Sequence, residues 1–382
     1  MAVTSIFPLL LLSPLFQTGI IPKRGSDRRR LLPRTSDPAF SAPLNSSTKL
    51  IVIVAAFRSG STFLGEVFNQ NPAVLYDFES FHWLALENRK KDSEINGAHP
   101  RHTDDELNLL YLQQILHNCS ILPPMFADVA HKYWQCGRNK QENMELFGNE
   151  ACSDNIWSMK TIKGIRQFHC KKRESVVIKL IRLRRIKDLE LIQNIRQADV
   201  KIIHLLRDPR ALFRSRVGYK EIFATKRNKL NWVVSEKFSK IGIEAHTECE
   251  NYVNDIKYAR RSIWLLDRYL QVRHDQMSVD PEGTAQKIYK FVGLDMPETV
   301  RSYVNGTGNI DTGTNRFFGE DAGKEKGLST LKDSKEILKN WMKWEIKPIK
   351  HIEAHCARLI RLMNLPFVSQ PELEYSELGP NL

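Results

Sequence analysis

The chain is poor in the features that sort a sequence quickly. It has no run of the ~20 apolar residues needed to cross a bilayer squarely. Its best stretch, Ile6–Ile21, has sixteen residues, is broken by Pro8 and Pro14, and is diluted by Gln17, Thr18 and Gly19. The six cysteines, Cys119, Cys136, Cys152, Cys170, Cys249 and Cys356, include no Cys-x-x-Cys pair. With no Cys/His cluster at zinc-finger spacing and no other metal motif, a zinc module is excluded. Internal repeats are absent, which excludes solenoids and propellers. Acidic residues are the scarcer charge, 44 against 57 Lys and Arg, giving a formal net charge of +13. Nucleic acid is the first partner such a balance suggests, but the cations are spread out and no nucleic-acid module is present. Steering of acidic glycans or an anionic nucleotide accounts for the excess equally well.

What the chain does have is enough apolar material for a full core, 42% of 382 residues. That length allows one large or two medium domains. The most informative segment is Lys49–Phe68, KLIVIVAAFRSGSTFLGEVF. Leu50–Ala56 shows no alternation, as expected of a strand buried on both faces of a parallel sheet. A tight turn at Arg58-Ser59-Gly60 leads to a helix opening at Ser61-Thr62, both of which can cap it. The unpaired N–H groups of that helix start point back at the turn and attract anions, phosphate above all. A Walker loop would carry an earlier Gly and a Lys. Here both are missing, and Arg58 stands before the Gly instead.

A second segment of the same kind is Lys201–Arg216, KIIHLLRDPRALFRSR. Ile202–Leu206 reads as another buried strand, and Asp208-Pro209 starts a helix, where proline's missing N–H costs nothing. Arg207 closes the strand, and Ser215 follows eight residues later, about two helical turns on. Arg210, Arg214 and Arg216 add charge nearby. Ligands of open α/β sheets sit outside the carboxyl ends of strands. Two such ends suit a nucleotide with two separated phosphates.

On these residues the chain resembles the Golgi carbohydrate sulfotransferases, specifically the galactose/N-acetylglucosamine/N-acetylgalactosamine 6-O-sulfotransferase group. Arg58-Ser-Gly-Ser-Thr-Phe-Leu64 is similar to that family's 5′-phosphosulfate loop, and Arg207–Ser215 to its 3′-phosphate motif. The resemblance runs on through Val176–Arg184, Tyr269–Asp275, Asp280–Leu294 and the Trp344…Cys356 helix, covering about Lys49 to Pro366. It implies a P-loop-NTPase-like α/β fold, with a central parallel sheet flanked by helices. The donor it implies is 3′-phosphoadenosine 5′-phosphosulfate (PAPS), held by Arg58, Ser59, Gly60, Ser61, Thr62, Phe63, Leu64, Arg207, Arg210 and Ser215. The acceptor is a keratan-type, chondroitin-type or N-acetylglucosamine-bearing glycan. No metal is required, because the protein supplies the positive charge.

Sulfuryl transfer needs charge neutralisation on the leaving phosphate, a base at the acceptor hydroxyl and two positioned reactants. Arg58 stands where related enzymes carry a Lys, and its forked donors suit a phosphate oxygen. In Tyr76–His82, Glu79 aligns with the family's Glu and is the expected base; Ser80 replaces the family's Pro. His82 is the other candidate, since histidine titrates near neutral pH. Arg182 and Arg184 are candidates for an acidic glycan. Two further classes stay open: a P-loop kinase or NTPase, and a non-catalytic glycan-binding protein.

The organisation expected is a hydrophobic signal-anchor or signal segment (1–22), a Pro/Ser-rich stem (23–48), a catalytic domain (49–366) and a tail (367–382). The resemblance implies a single-pass type II Golgi membrane protein with a luminal catalytic domain. Against that orientation, Lys23, Arg24 and Arg28–Arg30 follow the apolar run while Met1–Ser5 carries no positive side chain. A cleaved signal and secretion is the alternative. Asn45, Asn118 and Asn305 head glycosylation sequons, and disulfides are expected in an oxidising lumen. A homodimer is left open. Further expectations are a helix over Asp104–Leu116, a strand over Val176–Leu183 and an amphipathic helix through Ile186, Leu189, Ile192 and Ile195. Later come a strand at Leu270–Arg273, a helix over Pro281–Val292 ended by Gly293, and a helix over Lys335–Met363 interrupted at Pro348.

Overall fold

Buried parallel strands read as near-continuous apolar runs, and five strands form one sheet in the computed structural model. They are β1 (Lys49–Ala55), β2 (Val74–Phe78), β3 (Ser175–Leu180), β4 (Val200–Leu206) and β5 (Tyr269–Arg273). Their order is β2-β3-β1-β4-β5, with every pairing parallel. The structure describes residues 49–78, 112, 173–181, 183, 185–194, 199–226, 237–306 and 338–368. Outside them lie Glu79, His82, Arg182, Arg184, Asn45, Asn118, the first four cysteines, the N-terminal segments and most of the tail. Of the helix expected over 104–116, only Leu112 is described, and it is helical and buried. No helix among the described residues is long and apolar enough to cross a membrane.

The helices are α1 (Ser61–Asn69), α2 (Pro209–Lys226), α3 (Lys237–Arg261), α4 (His274–Val279), α5 (Pro281–Val292), α6 (Glu298–Val304) and α7 (Ile346–Leu362). Leu64, Val67 and Phe68 of α1 pack with Ile288 and Val292 of α5 and Val300 of α6 against Ile51, Ile53 and Val177 of the sheet. Strand residues alternate faces, so His204, between Ile203 and Leu205 of that cluster, turns to the other side. There it stacks on Tyr252 of α3, ring centroids 5.3 Å apart. Helices therefore cover both faces, as expected. β1 sits between β3 and β4, so its carboxyl end is the switch point where such sheets bind ligands.

Most elements begin and end close to where the sequence puts them, and the departures have local causes. Ile186, Leu189 and Ile192 are fully buried, but in a 3-10 helix (Ile186–Asn194) rather than an α-helix. Their spacing of three matches the 3.0-residue turn of that helix. β3 stops at Leu180, three residues earlier than expected. Pro348 does not interrupt α7: it is the helix's third residue, where no intrahelical bond needs its N–H. The break comes earlier, at Trp344-Glu345, after a short 3-10 turn over Asn340–Lys343. Gly293 does end α5, in the left-handed conformation that favours glycine.

A disulfide joins Cys249 of α3 to Cys356 of α7. Closing a loop of this length stabilises the fold by about 4–5 kcal/mol in the chain-entropy account.

Burial lowers the His204 pKa to about 3, leaving a neutral ring whose Nδ1 lies 2.9 Å from the Tyr269 hydroxyl. An unfolded histidine titrates near 6.5, so the folded-state value is depressed. The stability His204 contributes is therefore present above pH 6.5 and lost as pH falls from there toward 3. Replacing it with Asn, which keeps a polar atom near the Nδ1 position, should remove this acid sensitivity. Between pH 7 and 5, wild type should lose about 2 kcal/mol more than His204→Asn in denaturant titrations. Equal losses would show that His204 is not the titrating group.

Candidate active site

The turn after β1 is built to leave backbone donors for a ligand. Gly60, at φ 91°, is the N-cap of α1 and contributes no side-chain cap. This corrects the expectation that Ser61 or Thr62 caps the helix, since both lie inside it. The Gly60 carbonyl takes the Phe63 and Leu64 N–H groups at 3.1 and 3.4 Å. The N–H groups of Ser61 and Thr62 begin the helix, where no intrahelical acceptor exists, and they face the turn. Glycine is required twice over at position 60, because a Cβ there would collide with the His274 ring. Arg58 also occupies the left-handed region, φ 71°, which is uncommon for a side chain of its size and marks local strain.

The second motif closes on the first. The Arg58 Nε donates to the Ser215 Oγ at 3.2 Å, and the Arg207 Nη1 donates to the Arg58 carbonyl at 2.6 Å. Arg216 Nε donates to the Phe57 carbonyl at 3.1 Å. Residues 157 positions apart thus meet at one edge of the sheet, by the carboxyl ends of β1 and β4. Arg58, Ser59, Gly60, Ser61, Thr62, Arg207 and Ser215 are brought together.

Three expected donor contacts are not supported by side-chain placement. Leu64 is fully buried in the core, and Phe63 stacks on Tyr303 at 5.6 Å, with both amides already bonded. Arg210 is 1% exposed and held by Asp208, by Glu353 at 2.8 Å and by the Pro366 carbonyl, over the Trp341 ring. Its role is to join the start of α2 to α7. Four of the five N–H donors of this buried guanidinium are taken up within the protein.

Two residues the sequence reading passed over belong here. The Lys179 Nζ lies 3.5 Å from the Thr62 Oγ1, a buried cation behind the turn. It sits near the carboxyl end of β3, beside β1, and a lysine inside an otherwise apolar strand was the signal for it. His274 follows the last residue of β5, and its ring edge faces Gly60. Burial and the nearby Arg207 charge hold its pKa well below the ordinary histidine range, so the ring is neutral.

The arrangement suits a bisphosphorylated nucleotide. The Ser59 side-chain oxygen is fully buried at the turn and has no hydrogen-bond partner in the protein. Around it stand Arg58, Arg207, Lys179 and the start of α1. Among the described residues no cluster of His, Cys, Asp or Glu could hold a metal ion.

The sheet is open, parallel and covered by helices on both faces, and its cationic turn lies at the carboxyl ends of two neighbouring strands. The sulfotransferase family profile matches residues 51–298, and the chain belongs to the sulfotransferase family; it is an enzyme of that kind. Carbohydrate sulfotransferase 1 of Danio rerio is 25% identical over 86% of this chain and 80% of its own length. Carbohydrate sulfotransferase 3 of Homo sapiens is 23% identical over 85% of this chain and 68% of its own. Among solved structures, the sulfotransferase domain from the curacin biosynthetic pathway aligns with a TM-score of 0.47 at 16% identity, covering 84% of this chain and 99% of that one.

Proposed function

We propose that the chain is a PAPS-dependent carbohydrate sulfotransferase acting at the 6-hydroxyl of galactose, N-acetylgalactosamine or N-acetylglucosamine in a glycosaminoglycan or glycoprotein glycan. The Arg58–Ser215 hydrogen bond carries this reading, because it joins a 5′-phosphate turn to a 3′-phosphate helix at one sheet edge. The names of the relatives support a carbohydrate acceptor. PAPS supplies a sulfuryl group activated on a phosphate oxygen.

In this reading the α1 N-terminus, Ser59 and Arg58 bind the 5′-phosphate side, with Arg58 and Lys179 neutralising charge there. Arg207 and Ser215 bind the 3′-phosphate. Glu79 takes the proton of the acceptor hydroxyl. It directly follows Phe78, the last residue of β2, which pairs in register with Lys179. Glu79→Gln should lower kcat by about 10²–10⁴, the usual range for positioned proton transfer, and leave PAPS affinity nearly unchanged. The acidic limb of the pH–rate profile should vanish with it, whereas His82→Ala should retain the limb. The opposite pattern would exchange their roles.

The Cys249–Cys356 disulfide favours a luminal catalytic domain, since such bonds persist in oxidising compartments. The proposal accordingly places the enzyme in the Golgi, membrane-anchored as a type II protein through its N-terminal segment. The reaction is tested by incubating the luminal domain with PAPS and desulfated keratan, chondroitin or simple N-acetylglucosamine acceptors, then mapping the modified carbon. Sulfate at carbon 6 supports the proposal, and sulfate solely at another carbon contradicts it. A melting-temperature rise with ATP but none with PAPS would point to a kinase instead.

A further inference from the structure

The turn that carries Arg58 is gripped from α3. The Ala56 N–H, at the base of the turn, donates to the Tyr252 hydroxyl at 3.1 Å, and both residues are buried. The Ala56 carbonyl accepts from the Ser59 N–H at 3.2 Å, so this one residue is fixed by both its N–H and its C=O as the turn closes. One residue on, the Phe57 carbonyl is held by Arg216, whose Nη2 bonds the Glu248 carboxylate at 3.1 Å. Glu248 and Tyr252 are four apart on α3 and so share one face. Between them Cys249 ties the helix to α7.

The Tyr252 hydroxyl is not needed for packing. Its ring stacks on His204 and lies among apolar neighbours, a role a phenylalanine would fill. Burial, then the nearby Glu248 charge, pushes the Tyr252 pKa far above the ordinary phenol range, so the group stays a neutral hydroxyl. Its bonding partner in the turn is the Ala56 amide.

We infer that Tyr252 and Glu248 are positioning residues for the donor turn. Tyr252 fixes Ala56 directly and Glu248 fixes Phe57 through Arg216, and together they hold Arg58 in its left-handed conformation. The inference rests on the proposed reading that this turn takes a nucleotide's 5′-phosphate. It differs from a general stabilising role in one respect: only the 5′-phosphate contribution to binding should suffer.

Calorimetric titrations with adenosine 3′,5′-bisphosphate, adenosine 3′-monophosphate and adenosine 5′-monophosphate separate the two phosphates. For wild type, Tyr252→Phe and Glu248→Ala, the ratio of bisphosphate to 3′-monophosphate affinity measures the 5′ contribution. That ratio should fall about tenfold in Tyr252→Phe, the scale of one hydrogen bond, and also fall in Glu248→Ala. The bisphosphate to 5′-monophosphate ratio should match wild type in both variants. Unchanged 5′ ratios in both variants, or equal losses in the two ratios, would overturn the inference while leaving the donor site in place. Wild type that binds the bisphosphate no better than the 3′-monophosphate would overturn the donor-site reading itself, and this inference with it. Glu248 is partly exposed, so its variant supplies the comparison should Tyr252→Phe fold poorly.

Discussion

Arg58→Ala is expected to cut kcat by 10²–10³ at saturating PAPS, the usual loss when one preorganised contact to developing charge is removed. The geometry makes this side chain hard to replace. Its backbone lies in the left-handed region with its carbonyl anchored by Arg207, and its guanidinium reaches Ser215. Arg58→Lys should fall between wild type and Ala. It restores the charge but not the planar fork that bonds the serine and, in the proposed reading, would also take a phosphate oxygen. Thermal stability should change little in either variant, because Arg58 is only partly buried. Wild-type kcat in Arg58→Ala would show that the turn is structural.

Arg207→Ala is expected to weaken PAPS binding on the order of 10²-fold, the scale of a charge-assisted hydrogen bond lost together with a backbone anchor. Arg207 stands at the carboxyl end of β4 and also donates to the Arg58 carbonyl. It therefore serves the proposed 3′-phosphate and holds the 5′ turn, and its loss should lower kcat as well. Ser215→Ala removes a hydroxyl without touching that anchor, so its loss should be smaller and confined to donor affinity. Both variants should discriminate less between PAPS and the analogue lacking the 3′-phosphate. Equal losses for the two nucleotides would sink the 3′-phosphate assignment.

The strands and both phosphate segments were legible because their causes are local. Leu50–Ala56 is a continuous apolar run and Ile202–Leu206 is broken only by His204, a pattern that suits a doubly covered sheet. Asp208-Pro209 starts α2 as expected, with the Asp208 side chain accepting the Arg210 N–H at 2.9 Å. What stayed hidden depends on partners far along the chain. Arg210 reads as one more cation near a phosphate until Glu353, 143 residues away, is folded against it. The tie from Ala56 to Tyr252 spans 196 residues, and nothing near either residue announces it. Leu64 looked like part of the loop motif, whereas the phase of α1 turns it into the core with Val67 and Phe68. Gly60 took the cap position from Ser61 because a left-handed residue was needed where the His274 ring closes over the turn.

In the proposed reaction one sheet edge holds a sulfuryl donor and delivers its sulfur to a sugar. The most direct measurement is transfer of radiolabelled sulfate from PAPS to desulfated keratan or chondroitin by the purified luminal domain, with Arg58→Ala run beside it. Label should reach the glycan with wild type, at a rate 10²–10³ lower with the variant. PAPS that binds while no label reaches any of these acceptors, or label transferred equally well by Arg58→Ala, would contradict the proposal.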